Sequence, residues 1–198
     1  LAIAAEPLEK KIRVEGVNGG LVAETVNGSI QLAGAFQEVE ASTVNGDIEV
    51  SGNTRRAQVE SVNGAVTVKG ASGEVEASTV NGQLTVTGSA FDRASLETVS
   101  GGLRFEGELR PKAVLDAQSV SGSVELVFPA SVSADFSVTS FSGDVDNELG
   151  PQATKASKWT SQVELEFTAG KGGATVNVET LSGNIGLRYV ANAPGSIE

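Results

Sequence analysis

The chain has 198 residues, no cysteine, no histidine and a formal net charge of −11. Without cysteine there is no disulfide framework or thiolate chemistry, and without histidine there is no Ser-His-Asp triad, Cys-His pair or imidazole metal ligand. The acidic balance leaves no basic face to neutralise the phosphates of a nucleic acid or to sit on an anionic membrane.

Residues 1–10 begin Leu1-Ala2-Ile3-Ala4-Ala5, small and apolar like the flank of a signal-peptidase site, so they are expected to be a signal remnant or linker and the protein to be exported. No apolar run reaches the ~18 residues that a membrane-spanning helix needs, and no membrane insertion of this segment is expected. Lys11 to Gly20 carries half of the unit that follows (Ile12, Val14, Gly16) and reads as an N-terminal cap. It is short and charged (Lys10, Lys11, Arg13), which blunts an exposed strand edge and favours a monomer.

From there a three-residue unit recurs: apolar, then Asn or Ser, then Gly. After Val17-Asn18-Gly19 it is Val26-Asn27-Gly28, Val44-Asn45-Gly46, Val62-Asn63-Gly64 and Val80-Asn81-Gly82. Serine then replaces asparagine in Val99-Ser100-Gly101, Val120-Ser121-Gly122, Phe141-Ser142-Gly143 and Leu181-Ser182-Gly183. From Gly28 the glycines are 18, 18, 18, 19, 21, 21 and 40 residues apart, the last gap being close to two periods. Two and four residues after each glycine stand apolar side chains (Ile30 and Leu32, Ile48 and Val50, through to Ile185 and Leu187), with mostly polar residues between them. The segment before each unit alternates as well: Leu21, Ala23, Thr25; Val39, Ala41, Thr43; on to Val176, Val178, Thr180. Period two is the signature of a strand with one buried face. Gly34, Gly52, Gly70, Gly88 and Gly107 mark a second turn six residues after each corner.

An isolated Asn-Gly between alternating runs reads as a hairpin. Here each residue type recurs at the same phase in successive repeats, and only stacking of like on like, about 4.8 Å apart, requires that. The predicted fold is therefore all-β: one parallel β-solenoid over 11–190, about eight rungs of 18–21 residues, right-handed by the crossover preference. With aromatics at 5%, its core is expected to be Val, Ile, Leu and Ala.

The second half is less regular. The connections 107–114 and 128–135 lengthen, each with a proline (Pro111, Pro129). An insertion at about 147–162 holds Pro151 and the sole tryptophan, Trp159, which either seals the solenoid or offers a binding contact. Gln162 to Thr168 alternates (Val163, Leu165, Phe167) as a strand without a corner of its own, and 191–198 reads as a flexible tail.

Each column has a structural explanation. Asn27, Asn45, Asn63 and Asn81, followed by Ser100, Ser121, Ser142 and Ser182, are expected to form a corner ladder with Gly28, Gly46, Gly64, Gly82, Gly101, Gly122, Gly143 and Gly183. Stacked amides bond to one another, and Asn and Gly tolerate the left-handed backbone of a tight turn. The Thr/Ser column just before it (Thr25, Thr43, Ser61, Thr79, Thr98, Ser119, Ser140, Thr180) shares the parity of the core, so it points inward and is no ice-binding face. Outward acids such as Asp144 and Asp146 could in principle serve a carboxylate glycosidase, but the next repeat back offers only Ser123 and Glu125 and no sugar platform. No catalytic, cofactor or metal residues are assigned.

Repeats such as Val39-Glu40-Ala41-Ser42-Thr43-Val44-Asn45-Gly46-Asp47-Ile48-Glu49-Val50 and Val176-Asn177-Val178-Glu179-Thr180-Leu181-Ser182-Gly183-Asn184-Ile185 resemble the bacterial adhesin-type β-strand-repeat domains, as does Gly170-Lys171-Gly172-Gly173 ahead of the last repeat. The resemblance covers roughly 11–190. It implies a parallel solenoid in an envelope-associated protein of the periplasm or cell surface, with no catalytic residues. The expected function is a non-catalytic structural or adhesion module with an unidentified protein or glycan ligand. The alternative is a glycan- or peptide-binding module, such as an envelope-stress sensor, using the irregular C-terminal half.

Overall fold

The computed structural model describes residues 2–4, 11–155 and 162–190. The alternating segments form β2 (Ile12–Asn27), β3 (Ile30–Asn45), β4 (Ile48–Asn63), β5 (Val66–Asn81), β6 (Leu84–Ser100) and β7 (Leu103–Ser121), which pair in sequence order as parallel neighbours. Equivalent residues stack: Ile30 on Ile48 on Val66 on Leu84, and Ala41 on Val59 on Ala77 on Leu96. All of these are buried, so the apolar face supplies the driving force and the backbone ladder supplies the register.

Each of these strands is 16 to 19 residues long, because the second turn does not interrupt pairing. The strand bends instead, with register shifts at the bend, as between Ser51 and Thr54 on β4 and between Lys69 and Ala71 on β5. A rung thus has two arms. One precedes the Asn/Ser-Gly corner (Val39–Thr43 in β3) and the other follows it (Ile48–Ser51 in β4). The backbone ladder continues through the corner, where Gly28 N–H donates to Asn45 O (2.8 Å) and Ile30 N–H to Asp47 O (2.8 Å).

About six regular turns are built in this way, slightly fewer than the roughly eight rungs of 18–21 residues expected. The remaining repeats are broken into β8 (Val124–Phe128), β9 (Ala134–Ser140), β10 (Val145–Asn147), β11 (Thr154–Lys155), β12 (Val163–Ala169), β13 (Ala174–Ser182) and β14 (Ile185–Tyr189). At the other end β1 (Ala2–Ala4) lies parallel on β2 at Val22–Glu24, beyond the half-repeat read as the cap.

The stack is not in chain order at its distal end. β13 is paired on one side with β7 and on the other with β9. Likewise β14 lies between β8 and β10. The last repeat in the sequence is therefore the penultimate rung in space, and the rung of residues 134–147 lies outside it. Backbone bonds trace the corner order: Gly122 N–H to Ser182 O (3.1 Å), then Gly183 N–H to Ser142 O (3.0 Å). β12, the strand without a corner, runs antiparallel on β9 as the outer layer, followed by β11.

To enter its slot from β12, the chain must cross the start of β9. It does so at Gly170–Gly173, the segment singled out in the sequence. Ser133 holds the crossing from both sides: its hydroxyl donates to Gly172 O (2.9 Å) and accepts from Lys171 N–H (2.9 Å). The Asp135 carboxylate accepts from the Thr168 hydroxyl (2.6 Å) and Gly173 N–H (3.4 Å). Gly170 and Gly172 have φ of +63° and +72°, which a side chain would strain.

The core is largely Val, Ile, Leu and Ala, as expected, with one addition. Five of the seven phenylalanines make a spine through the second half, with centroids 5.0 Å apart for Phe91–Phe105, 5.8 Å for Phe105–Phe128, 5.6 Å for Phe128–Phe136 and 4.7 Å for the stacked Phe136–Phe167. These rings share one interior column within a core that is otherwise mostly aliphatic. Gly150 lies against the Phe167 ring, where a Cβ would come within 2.7 Å of it. The turn before that glycine is organised by buried Asn147, which donates to Pro151 O (2.8 Å) and accepts from Leu149 N–H (2.9 Å).

Candidate functional site

The corner edge is the most regular surface of the molecule, and four residue types build it. Glycine is required by contact between rungs more than by a left-handed turn. A Cβ on Gly64 would lie 2.0 Å from Gly46 O, and one on Gly82 would lie 2.0 Å from Gly64 O. The corner asparagines do not adopt positive φ; among the described non-glycine residues only Ala90 and Lys112 do. The expected left-handed Asn is thus replaced by an extended Asn followed by a glycine that lets two backbones touch.

The asparagines form a ladder: Asn45 Nδ2 donates to Asn27 Oδ1 (2.9 Å), Asn63 to Asn45 (3.0 Å) and Asn81 to Asn63 (3.0 Å). These bonds are exposed, so each contributes only about 1 kcal/mol. Asn63→Ala, which breaks two of them, should cost about 1–2 kcal/mol in urea unfolding, and Asn63→Ser less than that.

The hydroxyl column points inward, as its parity requires. Thr43, Ser61 and Thr79 donate to the corner carbonyls Gly28 O, Gly46 O and Gly64 O (3.2, 3.2 and 3.0 Å), and Ser140 to Gly183 O (3.3 Å). Three buried hydroxyls on successive rungs of the stack, those of Thr98, Ser119 and Thr180, have no hydrogen-bond partner among the described residues. They belong to β6, β7 and β13, where serine has replaced the corner asparagine.

Because Thr25 and its equivalents point in, the next residue points out. Val26, Val44, Val62, Val80, Val99, Val120, Leu181 and Phe141, in stacking order, are 39–55% exposed. One apolar side chain per rung makes a ridge beside the Asn/Ser ladder, roughly 34 Å long at about 4.8 Å per rung. Between Val80 and Phe141 the ridge borders a groove of about 380 Å³, with Glu97 and Glu179 on its rim and Gln118 between them. The ridge was missed in the sequence because the apolar residue was read as part of the turn motif. The parity of Thr25, Thr43 and their equivalents carried the signal.

The two broad faces differ in charge. Outward positions on the arms before the corners carry Glu24, Glu40, Glu60, Glu76, Glu97, Asp116 and Glu179, and among the described residues no Lys or Arg stands between them on these arms. None of these seven takes part in an observed ion pair, although Asp116 accepts from Asn177 Nδ2 (2.8 Å). On the opposite face basic residues are interleaved with the acids. Lys69 pairs with Glu49 (3.0 Å), Arg188 with Asp146 (3.4 Å) and Glu148 (3.5 Å), and Arg104 bridges Glu106 (3.2 Å) and Glu125. Burial pulls the Arg104 guanidinium down, but its hydrogen bonds to Glu106 and Glu125 outweigh that and raise its pKa. Along the second turns, a cleft of about 430 Å³ is lined by Arg55, Arg56, Glu74, Asp92 and Arg110, with Arg56 paired to Glu74 (2.7 Å) and Arg110 to Asp92 (2.7 Å).

A family model described as Toastrack DUF4097 matches residues 15–188. The chain belongs to the Toastrack DUF4097 family. That family is one of unknown function with a β-repeat fold, and its name assigns no activity, ligand or location. No curated protein and no solved structure matched the chain.

In this Toastrack chain the remaining sequence candidates fall in different places. Trp159 lies outside the described residues. Asp144 and Asp146 do not face Ser123 and Glu125, because the inserted rung separates them: Asp144 N–H donates to Asn184 Oδ1 (3.0 Å), and Asp146 pairs with Arg188. The neighbour inferred from sequence order was wrong because the stacking order is not the chain order. Among the described residues no group of three or more Asp or Glu could hold a metal ion, and no helix is long and apolar enough to cross a membrane.

Proposed function

We propose that this Toastrack domain is a non-catalytic structural and adhesion module of the bacterial envelope, exported to the periplasm or cell surface, which holds a protein partner along its corner edge. The observation that carries the reading is the ridge of eight apolar side chains, each 39–55% exposed on a hydrogen-bonded stack. Isolated exposed apolar residues need no explanation, but a contiguous file of them marks an interaction surface. The stack is suited to such work because each rung is bonded to its neighbours on both sides, so the surface is held rigid before a partner arrives. A catalytic reading has less support: Asp146 is tied to Arg188, and the cleft along the second turns is lined by paired charges.

The test is made in cells with the full-length protein carrying a photo-crosslinking residue at Val99, with Thr67 on the opposite face as the control position. The expected result is recovery in the envelope fraction and a discrete crosslink from position 99 that is missing at 67. A cytosolic protein would overturn the reading. So would polysaccharide turnover that disappears with Asp146→Asn.

A further inference from the structure

We infer that the groove between Val80 and Phe141 receives a cationic amphipathic helix from a partner protein, about one helical turn to each rung. This rests on the module reading above and adds the chemistry of the partner.

The spacing argues for a helix. Ridge side chains on β5, β6, β7, β13 and β9 follow one another at about 4.8 Å, close to the 5.4 Å pitch of an α-helix. A bound strand would place same-face side chains about 6.6 Å apart, out of step with the rungs after two of them. Five rungs extend roughly 19 Å, which is about 13 residues of helix. A helix with one apolar residue per turn, continuing the i, i+3, i+7, i+10 spacing along its length, would lay an apolar stripe along the file of Val80, Val99, Val120, Leu181 and Phe141.

Charge selects among occupants. The groove rim carries Glu97 and Glu179, and the face beyond it has Glu76 and Asp116, with Arg56 and Arg93 standing only at its far edge, away from the groove. A second copy docking by the same face would set acid against acid. An anionic membrane would be repelled by the same residues. A helix with Lys or Arg beside its apolar stripe meets complementary charge, which speeds association and fixes orientation. The corner beneath the groove also differs from the rest of the edge, since three of its five rungs carry buried hydroxyls, on Thr98, Ser119 and Thr180, that have no hydrogen-bond partner among the described residues.

The probe is a 14-residue helical peptide with a leucine stripe flanked by lysines, compared with the same stripe flanked by glutamates. Binding to the intact protein is read by fluorescence anisotropy and by amide shifts. The lysine peptide should bind saturably and weaken as salt is raised, with shifts confined to residues near 80–141 and 179–181, and the glutamate peptide should not bind. Glu97→Gln with Glu179→Gln should weaken binding about tenfold, and Val99→Ser with Val120→Ser and Leu181→Ser should abolish it. All five positions face outward, so the fold is spared, and an unchanged circular dichroism melt verifies that. Equal binding of both peptides, binding unaffected by the three serine substitutions, or no saturable binding of the lysine peptide would each overturn the inference. A crosslink from Val99 to an envelope protein that meets the ridge without a basic helix would overturn this inference and leave the module reading standing. A cytosolic location would overturn the module reading instead.

Discussion

Removing residues 174–198 should unfold the distal third of the protein and leave the first six strands standing. β13 and β14 are the last regular strands made, yet they fill the slot between β7 and β9 and between β8 and β10. Their deletion removes Ala174, Val176, Val178, Ile185 and Leu187, all at most 1% exposed, from the middle of a layer. At about 1.5–3 kcal/mol for each large buried aliphatic side chain, the loss from those residues alone approaches the 5–15 kcal/mol that a whole domain usually possesses. The rung of residues 134–147 would then face a gap of two strand spacings, roughly 9.6 Å. Limited proteolysis should cut the truncated chain within 129–170, and its urea transition should lose amplitude and broaden. Deleting residues 1–10 instead removes, among the described residues, the three-residue β1 and should shift the midpoint little. A truncated chain that melts in one transition at the intact protein's midpoint would show that the inserted rung is not structural.

The second large effect is expected at a single atom. Gly64→Ala places a methyl 2.0 Å from Gly46 O and 2.5 Å from Gly46 C. Both rungs are fixed there, Gly46 N–H by Asn63 O (2.9 Å) and Gly64 N–H by Asn81 O (3.0 Å), so relief requires parting the ladder. The cost should be about 3 kcal/mol or more, at the upper end for overpacking. Gly20→Ala is the matched control, since a Cβ there meets nothing within 4 Å, and it should be close to neutral. Were the two variants equally stable in urea, contact between rungs would not be what requires glycine at the corners. Asn63→Ala, the neighbouring change, removes only exposed bonds and should fall between them.

Much of this architecture was legible because a parallel stack forces each residue type to recur in phase. The alternation at Leu21, Ala23 and Thr25 fixed which side chains are buried, and the 18-residue interval between Gly28, Gly46, Gly64 and Gly82 fixed what stacks on what. The same regularity concealed the reordered end. Phe141-Ser142-Gly143 and Leu181-Ser182-Gly183 fit either of two adjacent slots, and the backbone bonds that hold them are indifferent to side chains. What distinguishes the slots is the crossing at Gly170–Gly173, clasped by Ser133 and Asp135, contacts 38 or 39 residues apart that no local pattern announces. The phenylalanine spine escaped for a related reason: Phe91, Phe105, Phe128, Phe136 and Phe167 have no common period, and Phe136 and Phe167 sit in the reordered end.

The equal interval between the early corners has a consequence for how such a chain can change. Between Gly28 and Gly82 every copy presents its neighbours with the same glycine contact, the same amide and the same backbone groups. One 18-residue copy can therefore be duplicated or lost there without disturbing either end, and each event alters the molecule by one valine and about 4.8 Å. Length in this part of the chain is a countable quantity, open to adjustment by gene duplication, while the interlaced far end is fixed in number by its own threading.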